Sequence, residues 1–185
     1  MKGPEHIETS RLVLRRPVAA DAGAIYTRYS SDTEVTKYVG WPRHQSIEQT
    51  KAFLAFSEAE WNRWPVGPYL IERQGDRELL GGTGLAFETP TAAATGYVLA
   101  RDAWGHGYAT EALTAVVDVA RDLGVRRLYA LCHPNHEASI LVLEKCGFVL
   151  ETRLEGFADF PNLGSGHCED CLRYAQVAGW SQAEG

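Results

Sequence analysis

Two glycines bracket a histidine in Trp104-Gly105-His106-Gly107-Tyr108-Ala109-Thr110-Glu111-Ala112, directly after the strand-like run Gly96-Tyr97-Val98-Leu99-Ala100. Beyond them Leu113, Val116, Val117, Ala120 and Leu123 fall at i, i+3, i+4, i+7 and i+10, the spacing of one buried helix face. A strand that enters a glycine loop and then a helix makes an anion site. The first helical turn carries N–H groups without partners, and the aligned peptide dipoles concentrate positive potential there. Glycine tolerates the torsions such a loop needs and lets a phosphate approach the backbone. The expectation is a phosphorylated ligand at residues 105 to 110.

A second chemical pattern, His167-Cys168-Glu169-Asp170-Cys171, has the C-x-x-C spacing of a metal or redox site. The other cysteines, Cys132 and Cys146, add neither a second C-x-x-C nor a close histidine pair. Cys168 to Gln176 also alternates like a strand, which points residues 168 and 171 to opposite faces. Free thiols and no metal are expected. Gly81-Gly82-Thr83-Gly84 is followed by a strand pattern rather than a helix, so a bulge or a close backbone approach is expected there in place of a dinucleotide loop.

Several elements must carry these residues. Arg11–Arg16 alternates as a short strand closed by Pro17, and Asp21 and Asp32 can cap helices near 21–30 and 32–38. Ser46-Ile47-Glu48-Gln49 has the form of a capping box for a helix ending near Trp64, before Pro65. Strands are predicted at 69–73 and 79–87 around the Gln74-Gly75-Asp76 turn, and Pro90 to Ala94 looks turn-like ahead of a strand at 96–100. The helix after the glycine loop should stop at Leu123, with Gly124 just beyond. A strand at 127–133, a helix opened by Asn135 or His136 and ended by Gly147, and strands at 148–157 and 168–177 complete the order. The fold class expected is a mixed α/β or α+β sheet.

The chain has 185 residues, enough for one domain with a sizeable core. Hydrophobic residues at 45% and charged residues at 23% are ordinary for a globular protein. A net charge of −6 argues against a general nucleic-acid binder, because phosphate backbones are gripped by Lys and Arg. No window approaches the roughly 18 apolar residues of a membrane span. The first residues lack the apolar core of a signal peptide, so a cytoplasmic address is expected.

The glycine loop and the strand before it resemble the acetyl-CoA loop of GNAT-superfamily N-acetyltransferases, written Q/R-x-x-G-x-G/A, with Trp104, Gly107 and Ala109 in the first, fourth and sixth places. An aromatic first place resembles the RimJ/RimL-type branch. Asn135-His-Glu-Ala-Ser139, with its helix ending in Gly147-Phe148, is similar to the second signature of that family, and Arg11-Leu-Val-Leu-Arg and Asp170-Cys-Leu-Arg-Tyr174 match the same branch. The resemblance runs from about Ile7 to Val177 and treats residues 1–185 as one N-acetyltransferase domain.

That resemblance implies a mostly antiparallel central sheet with one splayed parallel pair, 96–100 and 127–133, holding the pantetheine arm of acetyl-CoA as co-substrate. Val98, Leu99 and Ala100 would pair with the arm, and Trp104, Gly105, His106, Gly107, Tyr108, Ala109 and Thr110 would form the diphosphate site. Asn135 and Ser139 would face the thioester, and Arg101 or Lys145 would reach the 3′-phosphate. The implied reaction is direct attack of an amine on the thioester, with the Leu99 N–H at the oxyanion and Ser139 protonating the thiolate.

Many relatives carry a Glu where this chain has Ala94, which leaves the base among Glu88, Glu111, Glu72 and His133. Tyr38, Trp41, Trp61 and Trp64 either line an acceptor pocket or fill the core. An α-amine, with a pKa of roughly 7.7–8, is partly neutral near pH 7, whereas a lysine amine at about 10.4 is not. A site without an obvious carboxylate base therefore fits an α-amine or a water relay, and with the resemblance this favours a protein or peptide N-terminal α-amine. The alternatives are a small amine (a polyamine or an antibiotic) and a catalytically silent acyl-CoA-binding domain. The resemblance implies a monomer or homodimer; the net charge and the lack of a long apolar window argue against nucleic-acid and membrane partners.

Overall fold

The computed structural model describes residues 2–176. Its strands are β1 (His6–Glu8), β2 (Leu12–Arg15), β3 (Pro68–Arg73), β4 (Leu79–Thr89), β5 (Ala92–Leu99), β6 (Arg127–Cys132), β7 (Phe148–Ala158) and β8 (Glu169–Gln176). They form one open mixed sheet in the order β1-β2-β3-β4-β5-β6-β8-β7, with β5 and β6 parallel and the other neighbouring pairs antiparallel. The helices are α1 (Ala22–Ile25), widened into one π-helical turn over Tyr26–Ser30, α2 (Ile47–Arg63), α3 (Tyr108–Asp122) and α4 (Glu137–Lys145). No helix among the described residues is long and apolar enough to cross a membrane.

Two clusters hold the layers. Leu113, Val116, Val117 and Ala120 of α3 pack with Leu12, Leu14, Ile71, Leu80 and Leu128 of the sheet. Burying each such aliphatic side chain stabilises by about 1.5–3 kcal/mol relative to exposure, so the apolar stripe fixes α3 against the strands. On the other face Ile25, Tyr29 and Leu54 pack with Leu70 and Leu79, and Val98 lies against them. The cofactor-type loop and α1–α2 therefore meet at the same strand from opposite sides.

The parallel pair fails partway along. Only Ala92, Ala93 and Ala94 pair with Arg127, Leu128 and Tyr129. Beyond Ala94, β6 is paired through its other edge with β8, from Tyr129 to Cys132. The facing edges of Thr95–Leu99 and Ala130–Cys132 are left open as a wedge.

Three expectations need correction, and one strand carries no signal in the sequence. Asp32 opens turns rather than a helix over 32–38: its carboxylate accepts the N–H groups of Glu34 and Val35 at 2.8 and 3.1 Å, closing a local turn that the following segment does not extend. The Ser46 side chain makes no cap bond. Instead Gln49 Oε1 accepts the N–H of Gln45 at 2.6 Å, half of a capping box one residue early. Ala92–Ala94 are strand, not turn, because they are the residues that pair with β6. β1 was absent from the sequence reading, since its three residues are too few to show a period. Val177, placed by the sequence at the end of the last strand, lies outside the described residues.

Gly81 and Gly84 permit close approach. A Cβ at Gly81 would stand 2.0 Å from the Val98 carbonyl oxygen, and one at Gly84 2.8 Å from Pro68 Cα. Cys171 is buried and Cys168 exposed; both are free thiols, and they share no site.

Candidate active site

α3 begins where Gly105 and Gly107 take left-handed φ of +76° and +78°. That conformation costs an ordinary L-residue about 1–2 kcal/mol, which explains the residue type. Among the described residues the first backbone N–H after Trp104 that reaches a protein acceptor is that of Glu111, 3.1 Å from the Gly107 carbonyl. The N–H groups of residues 105 to 110 remain available at the positive end of the helix. Gly105, His106 and Gly107 are exposed, Tyr108 and Thr110 are half-buried, and Ala109 is buried against the core.

Glu111 anchors this loop. Its carboxylate accepts the Thr9 hydroxyl (2.6 Å), the Ser10 hydroxyl (3.0 Å), the Arg11 N–H (2.8 Å) and the Arg11 Nε (2.7 Å). Burial pushes the carboxyl up, but the Thr9 hydroxyl and the Arg11 groups outweigh it and hold Glu111 below the ordinary carboxylate value. Arg11 also donates to the His106 carbonyl at 2.8 Å. This network takes Glu111 out of the candidate bases.

The wedge has a definite polarity. The Ala100 N–H donates to the Leu80 carbonyl at 2.7 Å, and the Ala100 carbonyl accepts from Ala103 at 3.0 Å. By the alternation of an antiparallel pair, Val98, opposite Gly82, also turns its backbone groups toward β4. Tyr97 and Leu99 turn theirs into the wedge. The expectation that Val98 and Ala100 pair with a ligand through their backbones is thus corrected, because β4 and the following turn consume those groups. The Trp104 indole, 47% exposed at its residue, donates to the Leu99 carbonyl at 2.9 Å. This leaves the Leu99 N–H as the strand's donor at the wedge end.

A cavity of about 730 Å³ runs through the wedge. Tyr97 and Ser139 meet in it: the phenol lies 3.0 Å from Ser139 Oγ and donates to the Ser139 carbonyl at 3.2 Å. Burial raises the Tyr97 phenol above its ordinary value, against the Ser139 hydrogen bond, so it stays protonated. His136 and His44 also line the cavity. Burial lowers both imidazoles below the usual value, with His133 adding to the effect on His136. The His44 Nδ1 engages the Thr50 hydroxyl at 2.8 Å, while the His136 ring stacks on Tyr38 at 5.0 Å.

The remaining base candidates lie elsewhere. Glu88 is exposed at the end of β4, outside the cavity, where it accepts the Tyr129 hydroxyl; it is corrected as a catalytic residue. Glu72 is buried between Arg15 (2.6 Å) and Arg77 (2.7 Å). His133 Nδ1 accepts the Asn135 N–H at 3.1 Å, so its Nε2 carries the proton and donates to Glu169 at 2.9 Å. Asn135 is exposed and does not line the cavity, and its backbone N–H is spent on His133. Arg101 is paired with Asp32 at 2.6 Å.

The aromatic group divides. Tyr38 and Trp41 line the cavity, whereas Trp61 and Trp64 pack against Tyr69 and Phe87. Sequence reasoning missed His136, His44 and Tyr97 as site residues. His136 and Ser139 stand three apart at the start of α4, a spacing that puts two polar groups on one helical turn. His44 sits in an irregular segment and carried no periodic signal.

Comparison with known proteins gives the family and the fold. The family model described as Acetyltransferase (GNAT) domain matches residues 11–149. The uncharacterized N-acetyltransferase YoaA of Bacillus subtilis (strain 168) is 35% identical over 153 residues, covering 78% of this chain and 83% of its own. Among solved structures, RimL, a ribosomal L7/L12 α-N-protein acetyltransferase in complex with CoA, superposes with a TM-score of 0.81 at 23% identity over 94% of this chain and 98% of its own. The microcin C7 self-immunity acetyltransferase MccE, in complex with acetyl-CoA and AMP, gives 0.82 at 21% identity over 94% and 97%. The chain belongs to the GNAT family and is an acetyltransferase.

Proposed function

We propose that this enzyme moves the acetyl group of acetyl-CoA to a primary amine, and that the amine is the N-terminal α-amine of a protein or peptide. The observation that carries the reading is the presence along one strand–loop–helix unit of three features: unpartnered N–H groups at 105–110, the Leu99 N–H turned away from β4, and Tyr97, which shares the cavity with Ser139 and His136. The loop amides and the α3 dipole bind the diphosphate without a lysine. The edges of Tyr97 and Leu99 accept the pantetheine arm as an added strand would.

Attack of the amine nitrogen on the thioester carbonyl then needs three things from the chain. The Leu99 N–H donates to the oxygen as charge develops there. His136, neutral at physiological pH, accepts the amine proton. The Ser139 hydroxyl donates to the departing thiolate, with the Tyr97 phenol beside it as a second donor. An imidazole base matches an α-ammonium of roughly 7.7–8 far better than a lysine at about 10.4, which supports the α-amine. RimL, named for an α-N-protein activity, supplies a parallel at the level of fold.

Incubation with acetyl-CoA and short peptides, read by free-thiol release, tests the reading. Ser139→Ala should lower kcat roughly 10²-fold while leaving acetyl-CoA affinity near wild type. Tight acetyl-CoA binding with no thiol released for any amine would replace transfer by passive binding.

A further inference from the structure

We infer that the acceptor presents its amine on an uncharged, bulky apolar group, aromatic by preference, as a peptide with an N-terminal aromatic residue does; the inference rests on the acetyl-transfer reading above. The wall of the cavity on the α1–α2 side is built from Trp41, Phe53, Phe56, Tyr29 and Val98, closed from the far side by Phe160. Phe56 is 57% exposed although it faces a concave site, so apolar surface is left open where a ligand enters.

The charge inventory of the same wall is short. No lysine, arginine or glutamate lines the cavity among the described residues, and its one carboxylate is Asp159, exposed. A free amino acid would bring its carboxylate against aromatic rings with no cation to receive it, a burial that is costly without a partner. A polyamine would bring two or three ammonium groups to one carboxylate. An amide-blocked aromatic amine has neither cost: its ring displaces water from apolar surface, and its amide is uncharged and can be met by the hydroxyl and amide side chains of the lining, such as Gln49 and Thr95. The cavity volume of about 730 Å³ accommodates a ring beyond the acyl end of the cofactor.

The test uses the full chain with acetyl-CoA and four amines: phenylalanine amide, glycine amide, free phenylalanine and spermidine. The expected kcat/KM for phenylalanine amide exceeds that of glycine amide roughly tenfold to a hundredfold, with free phenylalanine and spermidine lower still. Phe53→Ala should raise the KM for phenylalanine amide about tenfold and leave the KM for acetyl-CoA unmoved. Phe56→Ala, at an exposed position that folding does not require, should shift it in the same direction if Phe53→Ala is unstable. Equal or faster turnover of glycine amide, free phenylalanine or spermidine would overturn the inference and leave the acetyltransferase reading intact. Acetyl-CoA bound with none of the amines acetylated would overturn both.

Discussion

His136 is the imidazole whose ring faces the cavity one helical turn from Ser139, and burial keeps it neutral. A base held below the ordinary 6.5 is protonated, and therefore silent, only in acid. With saturating peptide, kcat should rise with pH through an apparent value below 6.5 and then level off. His136→Gln should remove that limb and lower the plateau by about 10²-fold. A surviving limb would assign the proton to another group, with His44 the next in the cavity. Gly107 was legible in the sequence because a left-handed position ahead of a helix calls for glycine, whereas Ser139 entered only through the family resemblance. The engagement of Glu88 with Tyr129 was not legible. Whether a carboxylate reaches a site depends on strand length and on the direction of one side chain, and neither leaves a trace in residue spacing.

Glu111 couples elements: it ties the turn between β1 and β2 to the first turn of α3. A group held more acidic in the folded chain than in the unfolded one stabilises above its unfolded value and is lost as pH falls through its folded value. Glu111 lies below 4.5, so its contribution should be complete above about pH 5 and fade below 4.5. Glu111→Gln should cost about 2 kcal/mol in urea unfolding at pH 7, flatten the acid limb of stability and, by loosening the loop it anchors, weaken CoA binding severalfold.

Asn162 performs a comparable task on the acceptor side. Its side chain accepts the Arg43 N–H at 2.7 Å and donates to the carbonyls of Thr36 (2.7 Å) and Trp41 (2.9 Å), clamping the 31–45 segment to the loop after β7. Asn162→Ala should raise the acceptor KM severalfold with the acetyl-CoA KM unchanged; equal rises in both would mark a global loosening instead. Helix α3 and strand β6 were readable because an apolar period of 3.6 or a continuous apolar run survives any context. The 32–38 turns were not, since an aspartate followed by polar residues serves a cap and an Asx turn equally well.

At the scale of the molecule, the sheet is a mount with one deliberate fault. Three residues of parallel pairing hold β5 to β6, and the remainder of each strand turns outward to different neighbours. The order of strands and helices that produces this was legible in outline, but the point of separation was not, because Ala92–Ala94 have a turn-like composition and become strand only through β6. The account's central claim is that the loop amides bind the diphosphate while the wedge edge binds the arm. Amide chemical-shift mapping of the ¹⁵N-labelled protein with CoA and with pantetheine tests it most directly. CoA should move the resonances of residues 105–110 together with Tyr97 and Leu99, and pantetheine should move Tyr97 and Leu99 alone. Saturation with CoA that leaves residues 105–110 unshifted would contradict the account.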